Sequence, residues 1–335
     1  MKPLILTSWL VPDFYASGIG DLAITIYFRF VWGQLPLADE VADYLGPRTS
    51  DHDPGQGRHW SDFAASWGRS QRKSRRDLGL AEFCQQYETV ELWFDTRPQA
   101  QLELIWLLDY FRSYPETVAK LKLRLLDQNL IDLDRGNLGK WSPPLVNVTD
   151  DELATASAGW QAYQSPTPKA CFDLLSGNLS ALPLLRPVLF DLLEELPSAS
   201  TGLGSTEMRM LELVGRGYSR TNTLVHIESL RQTRVFNEFE YGYLIQGLAH
   251  GPTPAIAGLD DHLRTIPQES FDGRLEAFYR SNLSLTDFGR AVVAGKEDFS
   301  RHNPIDRWWG GTHLTNDNLW RYDPLLKAPA KRGAR

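Results

Sequence analysis

Apolar residues follow two rhythms along this chain, and the change between them predicts how it is divided. In the first part they form short runs. Leu4-Ile5-Leu6-Thr7 is a β-type run, and Leu22 to Val31 (LAITIYFRFV) has apolar residues on both faces, as a central strand requires. Thr89 to Phe94 (TVELWF) and Leu121 to Leu126 (LKLRLL) predict a third and a fourth strand. Between these two lies Gln99 to Phe111 (QAQLELIWLLDYF), where Leu102, Ile105, Trp106 and the Asp109-Tyr110 step keep helical spacing. Pro98 sits where a first-turn proline is tolerated. Strand, helix and strand at this spacing make a βαβ unit, whose crossover is nearly always right-handed. The expectation is a small, mainly parallel α/β sheet domain over residues 1–145.

Two turn-rich stretches interrupt that rhythm. Gly46-Pro47 and the following SDHDPGQG form one loop, and a helix starting near Ser61 carries the basic cluster Arg69, Arg72, Lys73, Arg75 and Arg76. Residues 129–148, with Gly136, Gly139, Pro143 and Pro144, form the second loop and the first boundary. From Thr149 the chain becomes helical. Asp150-Asp151-Glu152 places negative charge at a helix start, where the dipole favours it. Helices are expected at 150–164, 167–177 and 180–196, then at 207–214, 221–231 and 237–249. Ala255-Ile256 and Leu283-Ser284-Leu285 read as two short strands, followed by a helix from Asp287 to Ala294. Three helices, a hairpin-like pair and a closing helix are the order of a winged helix-turn-helix. The expected organisation is therefore an α/β domain, a helical connector over 146–200, and a winged-helix-like α+β domain over 201–325. A flexible tail over 326–335 completes it.

Composition narrows the function classes. At about 150 residues per domain, 335 residues suit two or three domains. Hydrophobic residues at 42% and charged residues at 23% fit a folded protein and exclude a disordered or collagen-like chain. Cys84 and Cys171 are too few for a disulfide framework or a Cys-based zinc site. No run of 18 apolar residues suggests a membrane helix, and the N-terminal apolar run breaks at Thr7, Ser8 and Pro12. A cytoplasmic location is the expectation. The net charge of −7 disfavours a generally basic nucleic-acid coat while leaving room for a local basic patch.

Motifs are informative mainly by absence. GxxxxGK[ST], GxGxxG after a strand, GxSxG and HExxH are all missing, so the common nucleotide, hydrolase and zinc-protease classes lack support. Asp51-His52-Asp53 with His59 is the one His/Asp concentration. His52, Asp53 and His59 would supply metal ligands if the loop folded back on itself, but a polar surface loop of turn formers is the preferred reading, so no metal and no cofactor are expected. GLGSTE (202–207) precedes a helix and offers backbone N–H groups to a phosphate; the plainer reading is that Ser205 or Thr206 caps the helix. RSQRKSRRD (69–77) spreads charge around a helix instead of gathering it into one stripe, which favours a solvated surface over phosphate contacts. The third helix of the winged-helix-like region begins with Glu238 and Glu240 and holds no Lys or Arg, so packing or protein contact is favoured over DNA reading.

Ligands of open α/β sheets bind outside the carboxyl ends of the strands. Those ends carry Thr7, Ser8 and Trp9, then Arg29, then Asp95, Thr96 and Arg97, and finally Asp127 and Gln128. Thr7, Ser8, Arg29, Thr96 and Arg97 are the ligand-binding candidates, since an Arg beside hydroxyls suits a phosphate or carboxylate. Asp95 is the candidate catalytic acid or base. A buried Arg29–Asp95 pair that only stabilises the sheet edge explains the same residues. Near the C-terminus, Asn303 to Leu314 is dense in polar and aromatic residues, and three of the 11 Trp fall between Asn303 and Tyr322. Structural closure is preferred there over an Asp306–Arg307 contribution to a site.

Three long blocks resemble one family: VELWFDTRPQAQLELIWLLDYF (90–111), SALPLLRPVLFDLLEELPSASTGLGSTEMRMLEL (180–213) and LSLTDFGRAVVAGKEDFSRHNPIDRWWGGTHL (283–314). They are similar to bacterial proteins catalogued as domain of unknown function eighteen thirty-five, over most of the chain and in the same order. The resemblance implies an N-terminal α/β domain followed by a helical, winged-helix-like region, and it implies no activity. Members tend to carry Gly-Asp after the first strand, where this chain has Thr7-Ser8. After the second strand they tend to show Arg, an acidic residue and His-Glu-Gly-Pro; here Arg29, Phe30 and Gly33-Gln34-Leu35-Pro36 stand. After the third strand an acidic residue, His and Asp are usual, and here Asp95 is followed by Thr96 and Arg97. If that edge is the family's active site, this chain has lost or altered its chemistry.

The resulting expectation is a non-catalytic ligand- or protein-binding, regulatory protein taking a small anionic ligand or a protein partner. One alternative is an enzyme acting on a nucleotide or phosphorylated metabolite, with Asp95 as acid or base and Arg29 and Arg97 as clamps. A DNA-binding regulator is the other, resting on fold analogy.

Overall fold

The structure, a computed structural model, describes residues 3–8, 19–20, 22–26, 28–48, 59–62, 78–130, 141–227, 235–260, 279–323 and 328–331. The fold is mixed α/β, and the chain divides into two compact units. The first comprises Met1–Phe30, Gln34–Gln164 and Leu174–Val188; the second comprises Val31–Gly33, Ser165–Asp173 and Leu189–Arg335.

The first unit is built on a five-stranded sheet. In chain order its elements are β1 (Leu4–Thr7), β2 (Leu22–Thr25), α1 (Ala38–Leu45), α2 (Leu80–Cys84), β3 (Val90–Trp93), α3 (Pro98–Phe111), α4 (Pro115–Val118), β4 (Leu121–Arg124), β5 (Leu145–Asn147) and α5 (Asp150–Gln164). The strand order is β2-β1-β3-β4-β5. The first four strands are parallel, with Leu4 opposite both Leu22 and Val90, and β5 runs antiparallel to β4. Strands β1, β2 and β3 are buried throughout, which is why they read as continuous apolar runs. Pro98 opens α3, where its missing N–H is no loss, and α3 is buried on nearly every side and packs against α5.

Two differences from the sequence reading have direct causes. The second strand ends at Thr25, well short of Val31, because its pairing partner β1 ends at Thr7. Phe28 and Phe30 leave the sheet and join an aromatic cluster, with Phe28 5.2 Å from Trp106 and Phe30 4.8 Å from Trp160 between ring centroids. The stretch read as a loop over 129–148 contains β5, whose Leu145 and Asn147 pair with Arg124 and Lys122.

Helices α6 (Lys169–Leu174) and α7 (Leu185–Glu194) come next in the chain. The second unit continues with α8 (Ser205–Gly215), α9 (Thr221–His226), α10 (Glu238–His250), β6 (Ile256–Ala257), β7 (Ser284–Leu285), α11 (Asp287–Val293) and α12 (Phe299–His302). It ends with β8 (Asp306–Trp309), β9 (Thr312–Thr315), β10 (Trp320–Asp323) and β11 (Ala328–Lys331). Helix α8 packs against α10, α11 and β7, and α10 also packs against α9 and β6, with Leu211, Leu224, Ile245, Leu248 and Val292 of these helices buried. A capping box starts α10: the Glu240 N–H donates to Asn237 Oδ1 at 3.0 Å and the Asn237 N–H donates to Glu240 Oε2 at 2.8 Å. Glu240 is thus buried as a cap, and the acidic helix start is half structural.

The last strands are antiparallel pairs, β8 with β9 and β10 with β11. Residues 328–331 were expected in a flexible tail but pair with β10. Trp309 Nε1 donates to the Leu192 carbonyl at 2.6 Å, and the buried Arg321 donates to the Ser198 carbonyl at 2.9 Å and to Asp298 Oδ2 at 2.8 Å. These bonds fasten the aromatic C-terminal segment within its unit.

Candidate functional site

The sheet reverses direction of growth at β1: the chain steps from β1 outward to β2, then back across to β3. A crevice outside the carboxyl ends of β1 and β3 is where open α/β sheets take ligands. Asp95 lies there with no exposed surface. Its Oδ1 accepts from the Arg97 N–H at 3.1 Å, both of its oxygens accept from Arg97 Nε at 2.9 Å, and its Oδ2 accepts from the Leu130 N–H at 3.0 Å. Arg97 Nη2 adds an ion pair at 2.7 Å. Thr96 Oγ1 donates to Asn129 Oδ1 at 2.6 Å. Asp95 and Arg97 therefore bind each other, and Asp95 and Thr96 bind the segment after β4. Thr7 is buried at the end of β1, while the buried Oγ of Ser8 has no hydrogen-bond partner among the described residues. Arg97 pairs with Asp95, and Arg29 acts electrostatically on a further carboxylate, Glu103.

Glu103 and Gln99 belong to this edge and were missed in the sequence. Gln99 Oε1 accepts from the Phe30 N–H at 3.0 Å, and its Nε2 donates to the Phe28 carbonyl and to Glu103 Oε1, the latter at 2.8 Å. The other oxygen, Glu103 Oε2, is buried without a hydrogen-bond partner among the described residues. Burial is the main cause that pushes the Glu103 carboxyl up to about 8; the Gln99 hydrogen bond, Arg29 and Arg97 pull it down, and Asp95 pushes it further up. The available signal was a Gln and a Glu four apart in a largely apolar helix, a spacing that places them on one face.

The other expected features resolve differently. His52, Asp53 and the basic cluster from Arg69 to Arg76 lie outside the described residues. His59 is buried, with Nδ1 2.8 Å from Ser61 Oγ and Nε2 2.9 Å from the Gly46 carbonyl, so both ring nitrogens fasten the loop. Among the described residues, no group of three or more His, Cys, Asp or Glu is placed to hold a metal ion. At GLGSTE, Gly204 is the N-cap, and its N–H donates to Glu207 Oε2 at 2.9 Å. Ser205 and Thr206 do not cap the helix; their hydroxyls donate to Glu195 Oε1. A buried carboxylate thus takes the place a phosphate would need. Burial pushes that carboxyl up to about 7, against the pull of the Thr206 and Ser205 hydrogen bonds.

The second unit contains an open cleft of about 490 Å³ beside α10. Trp32, Tyr243, Gln246, Gly247, Asp306 and Arg307 are among its lining residues. Trp32 and Tyr243 stack with centroids 5.7 Å apart and planes at 24°, and Phe236 meets the edge of Trp32 at the same separation. Across the cleft, Arg307 Nη1 donates to Glu207 Oε2 at 3.0 Å and its Nη2 to the Glu195 carbonyl at 3.3 Å. Asp306 Oδ1 lies 2.7 Å from His313 Nε2, and His313 stacks on Trp308 at 4.5 Å. Asp306 and Arg307 were weighed in the sequence only as a secondary possibility. Trp32 and Tyr243 were not paired, because their separation in sequence gives no hint of contact. No protein-family model matches the chain, and no curated protein matches it.

Proposed function

We propose that the chain is a non-catalytic, ligand-binding regulatory protein of the cytoplasm, with the cleft beside α10 as its ligand pocket. The cleft itself carries this reading: 490 Å³ lies within the roughly 300–1,000 Å³ typical of small-molecule sites. At the sheet edge the candidate acid or base Asp95 and the candidate clamp Arg97 form an ion pair, which leaves Arg97 ill-suited to hold an anion. Among the described residues no helix is long and apolar enough to cross a membrane. The resemblance to domain of unknown function eighteen thirty-five, and a winged-helix description of α8, α9, α10, the β6–β7 hairpin and α11, are part of the same proposal. Helix α10, in the position of a recognition helix, exposes Phe239 and Tyr243 in place of basic residues, which argues for a ligand or protein contact over DNA. A thermal-shift screen of metabolites, with and without a bulky residue at the cleft, tests the reading. Hits unaffected by the plug would overturn it.

A second reading, an enzyme acting on a nucleotide or phosphorylated metabolite, is favoured by Glu103. Its buried carboxyl has one oxygen without a partner among the described residues and sits at the crevice where such sheets bind substrates. Phosphate release from a nucleotide panel, abolished in Glu103→Gln, is the result that supports it. No turnover by the unaltered chain removes it.

A further inference from the structure

We propose that the cleft beside α10 takes an uncharged nucleoside, its base stacked on the Tyr243–Trp32 pair and its sugar in the space left by Gly247. The inference rests on the reading above that this cleft binds a ligand, and names the ligand's chemistry.

Gly247 is the first observation. It lies inside α10, where glycine is less favourable than alanine by about 1 kcal/mol, and it lacks the positive φ that would require glycine. A Cβ built on it would meet nothing within 4 Å among the described residues. Packing therefore does not account for the missing side chain. What the missing side chain does is leave the cleft wall open one helical turn from Tyr243, on the same face of the helix.

The aromatic pair is the second. Tyr243 is 47% exposed, which is unusual for a large ring, yet its orientation is fixed by the stack on Trp32. Trp32 is in turn braced by Phe236. A half-exposed ring held in place is a platform for another flat ring, and stacking is tolerant of ring identity. Gln246, on the same lining, carries a donor and an acceptor on one planar amide, the pattern that matches the edge of a nucleobase.

Charge selects between a nucleoside and its phosphate. The lining holds two carboxylates, Glu207 and Asp306, against one fixed cation, Arg307, and Arg307 is already bonded to Glu207. A phosphate would enter a site with surplus negative charge, so the uncharged ligand is preferred.

The test uses the full chain. Adenosine, guanosine, cytidine and uridine, each beside its 5′-monophosphate, are titrated calorimetrically, and each variant's melting temperature is recorded. At least one nucleoside should bind, and its monophosphate should bind more weakly. Tyr243→Ala should weaken binding about tenfold or more. Gly247→Leu should abolish binding with the melting temperature held or raised, and Gly247→Ala, a smaller plug, should weaken it. Absence of binding by all four nucleosides near millimolar concentration would overturn the proposal, as would undiminished binding by Gly247→Leu. A ligand without a ring, found in a wider screen and lost in Gly247→Leu, would leave the cleft a binding site and overturn the nucleoside alone.

Discussion

Asp95 and Arg97 stand two residues apart and close on each other, with the guanidinium Nε 2.9 Å from both carboxylate oxygens. The pair sits at the turn from β3 into α3, and Asp95 also holds the Leu130 N–H. It is a clasp joining the turn after β3 to the segment after β4, and a clasp of buried charge behaves differently from a ligand clamp when one half is removed.

Arg97→Ala should lower unfolding free energy by about 3–5 kcal/mol, because it strands the Asp95 carboxylate in a buried place. Replacing both partners together, Asp95→Asn with Arg97→Leu, should cost less than Arg97→Ala alone. Urea unfolding measures both. If Arg97→Ala unfolds like the parent chain, the clasp is not structural.

Glu103 predicts a pH dependence with a definite sign. Its carboxyl is raised in the folded chain from 4.5 to about 8, so the folded chain binds that proton more tightly than the unfolded one. The stability contributed by the neutral form is fully present below about 4.5 and is lost as pH rises through about 8. Glu103→Gln keeps the side-chain shape without the charge, so its melting temperature should fall less than the parent's across that window. Parallel pH curves for the two proteins would contradict the assignment.

Two helical glycines should respond in opposite ways to alanine. Gly247→Ala should stabilise by about 0.5–1 kcal/mol, since the new methyl meets nothing within 4 Å among the described residues. Gly289→Ala, in α11, should destabilise, because its Cβ would lie 2.0 Å from the Ala255 carbonyl oxygen and backbone would have to move. Thermal melts of the two variants decide it.

Arg321 predicts how the C-terminal segment is held. Arg321→Met removes the donors to the Ser198 carbonyl and to Asp298 while keeping much of the aliphatic stem. A loss of about 3–5 kcal/mol is expected, most of it from leaving Asp298 buried with a weakened partner set. Chemical unfolding that matches the parent would show that the segment is held by its tryptophans alone.

How much of this was legible depended on whether the signal was local. Strands β1 and β3 were readable because they are buried throughout and rich in apolar residues, β4 was readable from the alternation of Leu121 and Leu123 with Lys122 and Arg124, and α3 was readable from Pro98 and the helical spacing after it. Phe28 and Phe30 misled because aromatic residues suit a strand and an aromatic cluster equally well. Strand β5 hid in a proline-rich stretch, since a three-residue edge strand is defined by its neighbour β4 more than by its own sequence. Asp95 and Arg97 were both singled out at one strand end, but their meeting depended on side-chain reach. Arg97 reached it through a turn that spacing alone does not describe. The cleft was the least legible feature, because Trp32, Tyr243 and Arg307 come from three distant parts of the chain.

The placement of β1 between β2 and β3 also bears on how the chain can be made. During synthesis, Leu4 can find Leu22 early, yet its other neighbour, Val90, is still to be translated. At roughly 5–20 residues per second, this fully buried strand waits several seconds with one edge unsatisfied. A ribosome-associated chaperone would have its clearest substrate in that interval, and slowing translation just before Val90 should lengthen the exposure and raise the fraction lost to aggregation.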